Sequence, residues 1–151
     1  MLEKIAIMTN GDYNFIAGQL HRESFSKVTA FTKMLGRLSL TRKKAVVIHS
    51  DRIAPEETAR ILSQLLHCKI TKLQNQDCFD SERQCIIAAR QINENYESKK
   101  IVIIVVNYDQ SAMLSKSFGA VLNMSISHEP IPTGSIVMID RFKKTWQLIQ
   151  Y

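Results

Sequence analysis

Residues 5–12 read IAIMTNGD and decide the fold. Four apolar residues form a short strand that breaks at Thr9, Asn10 and Gly11. In α/β proteins, ligands bind in the crevice outside the carboxyl ends of parallel strands, so the residues that follow a strand carry the chemistry. This first loop offers a hydroxyl, an amide and the carboxylate of Asp12, but neither a histidine nor an arginine.

Strand and helix patterns alternate along the rest of the chain. The predicted strands are apolar runs bounded by turn residues, at 5–9, 45–48, 70–73, 101–106, 134–140 and 145–150. The predicted helices have apolar residues spaced by three and four, at 24–40, 55–67, 82–96 and 111–118. This alternation predicts an α/β fold, a three-layer α/β/α sandwich whose mostly parallel sheet ends in a C-terminal antiparallel hairpin.

Individual residues predict where several helices begin and end. Pro55 suits the first turn of a helix, and Ser81 is a good N-cap. Gly119 is expected to end the helix at 111–118. Three loops, at 9–12, 50–55 and 107–110, follow predicted strands and should gather at one edge of the sheet.

The chain of 151 residues is 45% apolar and is expected to form one domain over 1–151. It has no apolar run long enough for a membrane span and no signal-peptide pattern, so we expect a cytoplasmic protein that does not enter the membrane. Its three cysteines, Cys68, Cys78 and Cys85, form no C-x-x-C pair and are expected to be free thiols.

The net charge of +6 raises the question of a nucleic-acid partner. The basic residues fall in short groups between apolar segments, and aromatic residues do not alternate with them as a single-strand binding surface requires. A nucleic-acid partner is therefore not expected, and the charge is interpreted as solvated loop charge.

The motifs at the strand ends resemble those of the histidine phosphatases, the phosphoglycerate mutase-like superfamily, and especially its short bacterial phosphohistidine phosphatases. Residues 50–59 read SDRIAPEETA where that family has S-P-x-x-R-A-x-x-T-A. Residues 5–12 lie where it has a strand ending in Arg-His-Gly and an acid, and 105–107 where it has a strand ending in Gly-His. The resemblance covers nearly the whole chain.

The resemblance implies two histidines and two arginines that accept and hold a phosphoryl group. In this chain those positions are occupied by Thr9, Asn10, Ala54 and Asn107. Asn10 stands at the position of the nucleophile, and an amide is not nucleophilic. The resemblance therefore implies a catalytically degenerate domain that serves as a binding or regulatory module, with no cofactor and no metal.

A residual phosphate or anion pocket remains a hypothesis, with a phosphorylated small molecule or protein as the partner. Its candidate residues are Thr9, Asn10, Gly11, Ser50, Arg52 and Asn107. The alternative is an active phosphohistidine or phosphomonoester phosphatase with a non-standard nucleophile, for which His49 and His21 are the candidates. Asp12 and Asp109 lie on the same loops, where aspartates more often cap turns than bind metals.

Overall fold

Six strands and four helices are defined in the computed structural model, which describes residues 1–13, 17–36, 44–71, 79–126 and 129–151. The strands are β1 (Lys4–Thr9), β2 (Ala45–His49), β3 (Lys69–Thr71), β4 (Ile101–Val106), β5 (Ser135–Asp140) and β6 (Thr145–Gln150). The helices are α1 (Arg22–Gly36), α2 (Ile53–Leu66), α3 (Glu82–Asn95) and α4 (Tyr108–Leu122).

The strands form one sheet in the order β3-β2-β4-β1-β5-β6. The first four strands of that order run parallel to one another, whereas β5 pairs antiparallel with β1, and β6 pairs antiparallel with β5. All six residues of β4 are buried, as expected for a parallel strand that is covered on both faces. The predicted mostly parallel sheet with a terminal antiparallel hairpin is confirmed.

Two apolar clusters, one on each face of the sheet, make the three layers. On one face α1 and α2 pack through Val28, Phe31 and Leu62. On the other face α3 and α4 pack through Ile92 and Phe118. Neighbouring residues of β4 alternate between the two clusters, because successive side chains of a strand point to opposite faces. The predicted α/β/α sandwich is confirmed.

Several predicted helix boundaries were wrong. The helix α4 begins at Tyr108 and runs through Gly119 to Leu122, where Asn123 takes the left-handed conformation that ends it. A Cβ at position 119 would lie 2.9 Å from the carbonyl oxygen of Met124, so packing requires this glycine within the helix. The helix α2 begins at Ile53, two residues before Pro55, so part of the predicted 50–55 loop is helical.

Other local predictions were confirmed where the structure describes them. The Ser81 hydroxyl accepts a hydrogen bond from the backbone N–H of Gln84 at 3.2 Å and caps α3. Cys68 and Cys85 are buried free thiols, whereas Cys78 lies outside the described residues. Positions 37–40 and 72–73 of two predicted elements also lie outside them. Among the described helices, none has the length and hydropathy needed to cross a membrane.

Candidate functional site

Three polar residues meet at the carboxyl edge of the sheet, each directly after a strand. Asn10 follows β1, Ser50 follows β2 and Asn107 follows β4. The backbone N–H of Asn10 donates to the carbonyl of Val106 at 3.2 Å. The backbone N–H of Ser50 donates to the carbonyl of Val105 at 3.0 Å. Because β4 lies between β1 and β2, the three residues stand on neighbouring strands about 4.8 Å apart. We call these three residues the strand-end triad.

Each residue of the strand-end triad carries a buried oxygen with no hydrogen-bond partner in the described part of the chain. These atoms are Asn10 Oδ1, Ser50 Oγ and Asn107 Oδ1. The residues themselves are 1%, 1% and 6% exposed. Buried polar groups in proteins almost always have a partner, which can be protein, water or ligand. Three unpartnered oxygens on adjacent strands therefore make this edge the candidate site for a polar ligand.

The amide of Asn10 has a defined orientation. Its Nδ2 donates to the carbonyl of Gly11 at 2.8 Å, which leaves Oδ1 as the free atom. Rotating the amide by 180° would place two oxygen atoms against each other. Asn10 therefore offers the acceptor Oδ1 to the site, and one of the two hydrogens on its Nδ2 is used within the loop.

Two helices begin at the same edge, with Arg52 at the N-cap position of α2 and Asn107 at that of α4. The first backbone N–H groups of a helix have no partner within the helix and carry its positive dipole end. In α4, the N–H of Asn107 is already satisfied by Oε1 of Gln110 at 3.0 Å. The helix ends supply hydrogen-bond donors beside the acceptors of the strand-end triad.

The hydroxyl of Thr9 is committed to the hairpin. It donates to the carbonyl of Pro132 at 2.6 Å and accepts from the N–H of Ser135 at 3.2 Å. A hydroxyl has a single hydrogen to donate, so this bonding leaves Thr9 without the free donor that its predicted role in anion binding needs. Its side chain holds the start of β5 instead.

Close packing fixes the loop after β1. A Cβ at Gly11 would lie 2.7 Å from Cβ of Ser24, so only glycine lets this loop approach α1 so closely. On the other side of the loop, the hydroxyl of Tyr151 donates to the carbonyl of Thr9 at 2.6 Å. The backbone N–H of Gly134 donates to the carbonyl of Asn10 at 3.2 Å. Gly11 thus positions the loop and contributes no side chain to a ligand site.

Two carboxylates hold the guanidinium of Arg52. Its Nη1 donates to both carboxylate oxygens of Asp109 at 3.0 and 2.9 Å, and its Nη2 donates to Asp80 Oδ1 at 3.2 Å. Burial opposes the charged form of Arg52, but the hydrogen bonds and charges of Asp109 and Asp80 outweigh it and raise its pKa. Two carboxylates against one guanidinium leave a net negative charge beside the strand-end triad.

Solved structures with a similar arrangement of strands and helices include phosphatases and a mutase. A mycobacterial glucosyl-3-phosphoglycerate phosphatase in complex with inorganic phosphate is 13% identical, with a TM-score of 0.67 over 99% of this chain and 96% of that one. SixA from Agrobacterium tumefaciens, assigned as a phosphohistidine phosphatase, is 11% identical, with a TM-score of 0.66 over 99% of this chain and 97% of that one.

A phosphoglycerate mutase from Plasmodium falciparum is 14% identical, with a TM-score of 0.61 over 98% of this chain and 89% of that one. The chain has the fold of these phosphatases and this mutase, as its resemblance to the histidine phosphatases implies. At these identities the similarity shows the fold alone. By sequence, no protein family and no curated protein matches the chain.

The fold brings together the positions that the sequence resemblance implies. Asn10 and Asn107 stand side by side in the strand-end triad, and Ala54 lies in the first turn of α2, which begins at the same edge. Ala54 is 2% exposed, and its methyl group can neither donate a hydrogen bond nor carry a charge.

The two histidine candidates are not part of the strand-end triad. His49 is 5% exposed, and its Nδ1 lies 2.6 Å from the carbonyl oxygen of Ser50. It lines a groove whose other described residues belong to α2 and β3 and include no member of the strand-end triad. His21 is an exposed residue just before α1.

Sequence reasoning missed two residues of this edge, Asp80 and Gln110. Nε2 of Gln110 donates to Asp80 Oδ1 at 2.7 Å and so joins α4 to the ion pair of Arg52. For Gln110 a signal existed, because a glutamine three residues after an N-cap residue often accepts from the N-cap N–H, as Gln110 does at Asn107. Asp80 precedes the cap of α3, and no local pattern connects it to Arg52.

Proposed function

We propose that this chain, as one domain over 1–151, is a non-catalytic binding module that takes a small polar or phosphorylated ligand at the strand-end triad. The observation that carries the proposal is the set of three buried, unpartnered oxygens on neighbouring strands, at Asn10, Ser50 and Asn107. They stand where the histidine phosphatase fold presents its strand ends, and they are all neutral.

Neutrality argues against phosphoryl transfer. The nitrogen lone pair of an amide is delocalised, so Asn10 is a poor nucleophile in the place where the resemblance implies histidine. Phosphoryl transfer also needs positive charge to stabilise its transition state, and losing one such donor typically costs about 3 kcal/mol. At this edge the guanidinium of Arg52 is already bound by Asp80 and Asp109.

The same atoms support binding. Asn10 and Asn107 offer acceptors, whereas Ser50 and the first N–H groups of α2 and α4 offer donors. An oxyanion that retains a proton, such as hydrogen phosphate or a protonated phosphate ester, can satisfy both kinds of group. Because the carboxylates of Asp80 and Asp109 repel anions, we expect the affinity to be low.

Titrations with inorganic phosphate, vanadate and a phosphohistidine peptide, followed by amide NMR shifts, test the binding role. We expect saturable shifts at Asn10, Ser50 and Asn107 that weaken in the Ser50→Ala and Asn107→Ala variants. The Ser125→Ala variant serves as a control at an exposed position. Absence of site-specific shifts with all three ligands would overturn the binding proposal.

An active phosphatase with another nucleophile is the second candidate, because solved structures of this fold include phosphatases and His49 has an oriented ring. It requires turnover of a generic phosphomonoester that disappears in the His49→Ala or His21→Ala variant. We expect no turnover by the unmodified chain from mildly acidic to mildly alkaline pH. Turnover that persists in highly purified protein and is lost in one of those variants would replace our proposal with this one.

A further inference from the structure

A groove lies beside the outer part of the sheet, between α2 and β3. Its volume is about 550 Å³, within the range of small-molecule sites. The described residues that line it share a polar character, apart from one isoleucine, and are His49, Glu56, Arg60, Ser63, Gln64, Ile70 and Thr71. Four of them lie along one stripe of α2, at positions 56, 60, 63 and 64.

The imidazole of His49 is oriented toward this groove by its neighbour. A carbonyl oxygen can only accept a hydrogen bond, so the contact between Nδ1 and the oxygen of Ser50 places a hydrogen on Nδ1. In the neutral ring, Nε2 then carries the lone pair. Within the described ranges no residue donates to Nε2, although the ring as a whole is buried. The neutral ring therefore places a hydrogen-bond acceptor in the wall of the groove.

The groove also carries one charge of each sign. The guanidinium of Arg60 donates to Oε1 of Glu56 at 2.7 Å, and the side chain of Arg60 is largely exposed. A ligand with only a negative charge would meet repulsion from Glu56, and one with only a positive charge would meet repulsion from Arg60. A ligand with both charges can meet each with its opposite.

We propose that this groove binds a small zwitterion of the amino-acid class. Its ammonium group would donate to Nε2 of His49 and to the carboxylate of Glu56, and its carboxylate would accept from Arg60 and Gln64. Ile70 supplies an apolar surface for a hydrophobic side chain. This site is separate from the strand-end triad and does not depend on the function proposed for it.

Imidazole nitrogen NMR tests the proposal with three matched probes that share an isobutyl group. These are L-leucine, 3-methylbutylamine, which keeps only the positive charge, and 4-methylpentanoate, which keeps only the negative charge. We expect leucine to shift Nε2 of His49 in a saturable way and to bind at least about tenfold more tightly than either single-charge probe. The exposed His21 provides an internal reference whose signals stay unchanged.

Variants separate the contributions of the groove. We expect Glu56→Gln and Arg60→Gln each to weaken leucine binding about fivefold or more, and His49→Gln to abolish it. The His21→Gln control should retain wild-type affinity. Because His49 is buried, Arg60→Gln and Glu56→Gln carry the test if His49→Gln does not fold. Equal affinity for the three probes, or no shift of His49 with millimolar leucine, would overturn the proposal.

Discussion

Both carboxylate oxygens of Asp109 accept from a single nitrogen of Arg52, at 3.0 and 2.9 Å. The side chains are 39% exposed for Arg52 and 61% for Asp109, so solvent screens the pair and its contribution to stability is small. Its importance is electrostatic, because it neutralises the guanidinium beside the strand-end triad. The first prediction follows from this pair.

Releasing Arg52 should strengthen anion binding. In the double variant Asp80→Asn, Asp109→Asn, the guanidinium loses both carboxylate partners and the local negative charge disappears. We expect the Kd for inorganic phosphate, measured by titration calorimetry or NMR, to fall about three- to tenfold at low salt. Adding Arg52→Gln to that background should abolish the gain. An unchanged Kd in the double variant would show that Arg52 does not reach the ligand.

Removing the hydroxyl of Tyr151 should destabilise the fold. Tyr151→Phe keeps the ring, whose centroid lies 5.1 Å from that of Phe31, but it loses the hydrogen bond to the carbonyl of Thr9. We expect the free energy of unfolding to fall by about 1–2 kcal/mol in urea denaturation at neutral pH. A change below experimental error would indicate that water replaces the hydroxyl at Thr9.

The same residue should produce a pH dependence at alkaline pH. Burial, and to a smaller extent the charge of Asp12, raise the pKa of Tyr151 above its ordinary value. The unfolded chain therefore loses this proton first, and the contribution of Tyr151 to stability declines as the pH rises above about 10. The difference in unfolding free energy between wild type and Tyr151→Phe should shrink over that range. A constant difference would mean that the folded and unfolded pKa values coincide.

Gly11→Ala should destabilise the chain by about 1–3 kcal/mol, because the new Cβ would lie 2.7 Å from Cβ of Ser24. Ser24→Gly should rescue much of this loss in a double-mutant cycle, since it removes the opposing Cβ. Ser24→Ala keeps that Cβ and serves as the matched control. Equal rescue by both substitutions would place the strain somewhere other than in this contact.

Cys85 should resist alkylation in the folded protein. Burial, followed by the charges of Asp80 and Glu82, raises the pKa of its thiol to about 11, so at mildly alkaline pH it is almost entirely protonated. We expect iodoacetamide to leave Cys85 unmodified in native conditions and to label it fully in urea, as read by peptide mass spectrometry. Fast labelling of the native protein would indicate local opening of α3.

The sequence predicts features that depend on neighbouring residues and misses those that depend on distant ones. The buried strand β4, the cap at Ser81 and the terminal hairpin all have local signals, and all are present. Gly119 was interpreted as a helix end because glycine usually ends helices, whereas here it lies within α4 against Met124. The need for a glycine at this position comes from the segment after α4, which brings the carbonyl of Met124 close to Gly119.

The candidate site shows the same division. The positions of Asn10, Ser50 and Asn107 can be predicted because each residue follows a strand that has a local sequence signal. The partners of Arg52 could not be predicted, because Asp80 and Asp109 lie 28 and 57 positions further along the chain. The bonding of Thr9 to Pro132 likewise joins residues that are 123 positions apart.

The bonds of Tyr151 and Gly134 to the loop after β1 also have a mechanical consequence. Tyr151 directly follows β6, an edge strand that is largely exposed, yet its hydroxyl holds the carbonyl of Thr9 from 142 positions away. The backbone N–H of Tyr151 donates to the carbonyl of Gly134, and the N–H of Gly134 donates to the carbonyl of Asn10. Fraying of β6, or pairing of another strand with its outer edge, would therefore displace the backbone of Asn10 and, under the proposed function, change the affinity of the strand-end triad from a distance.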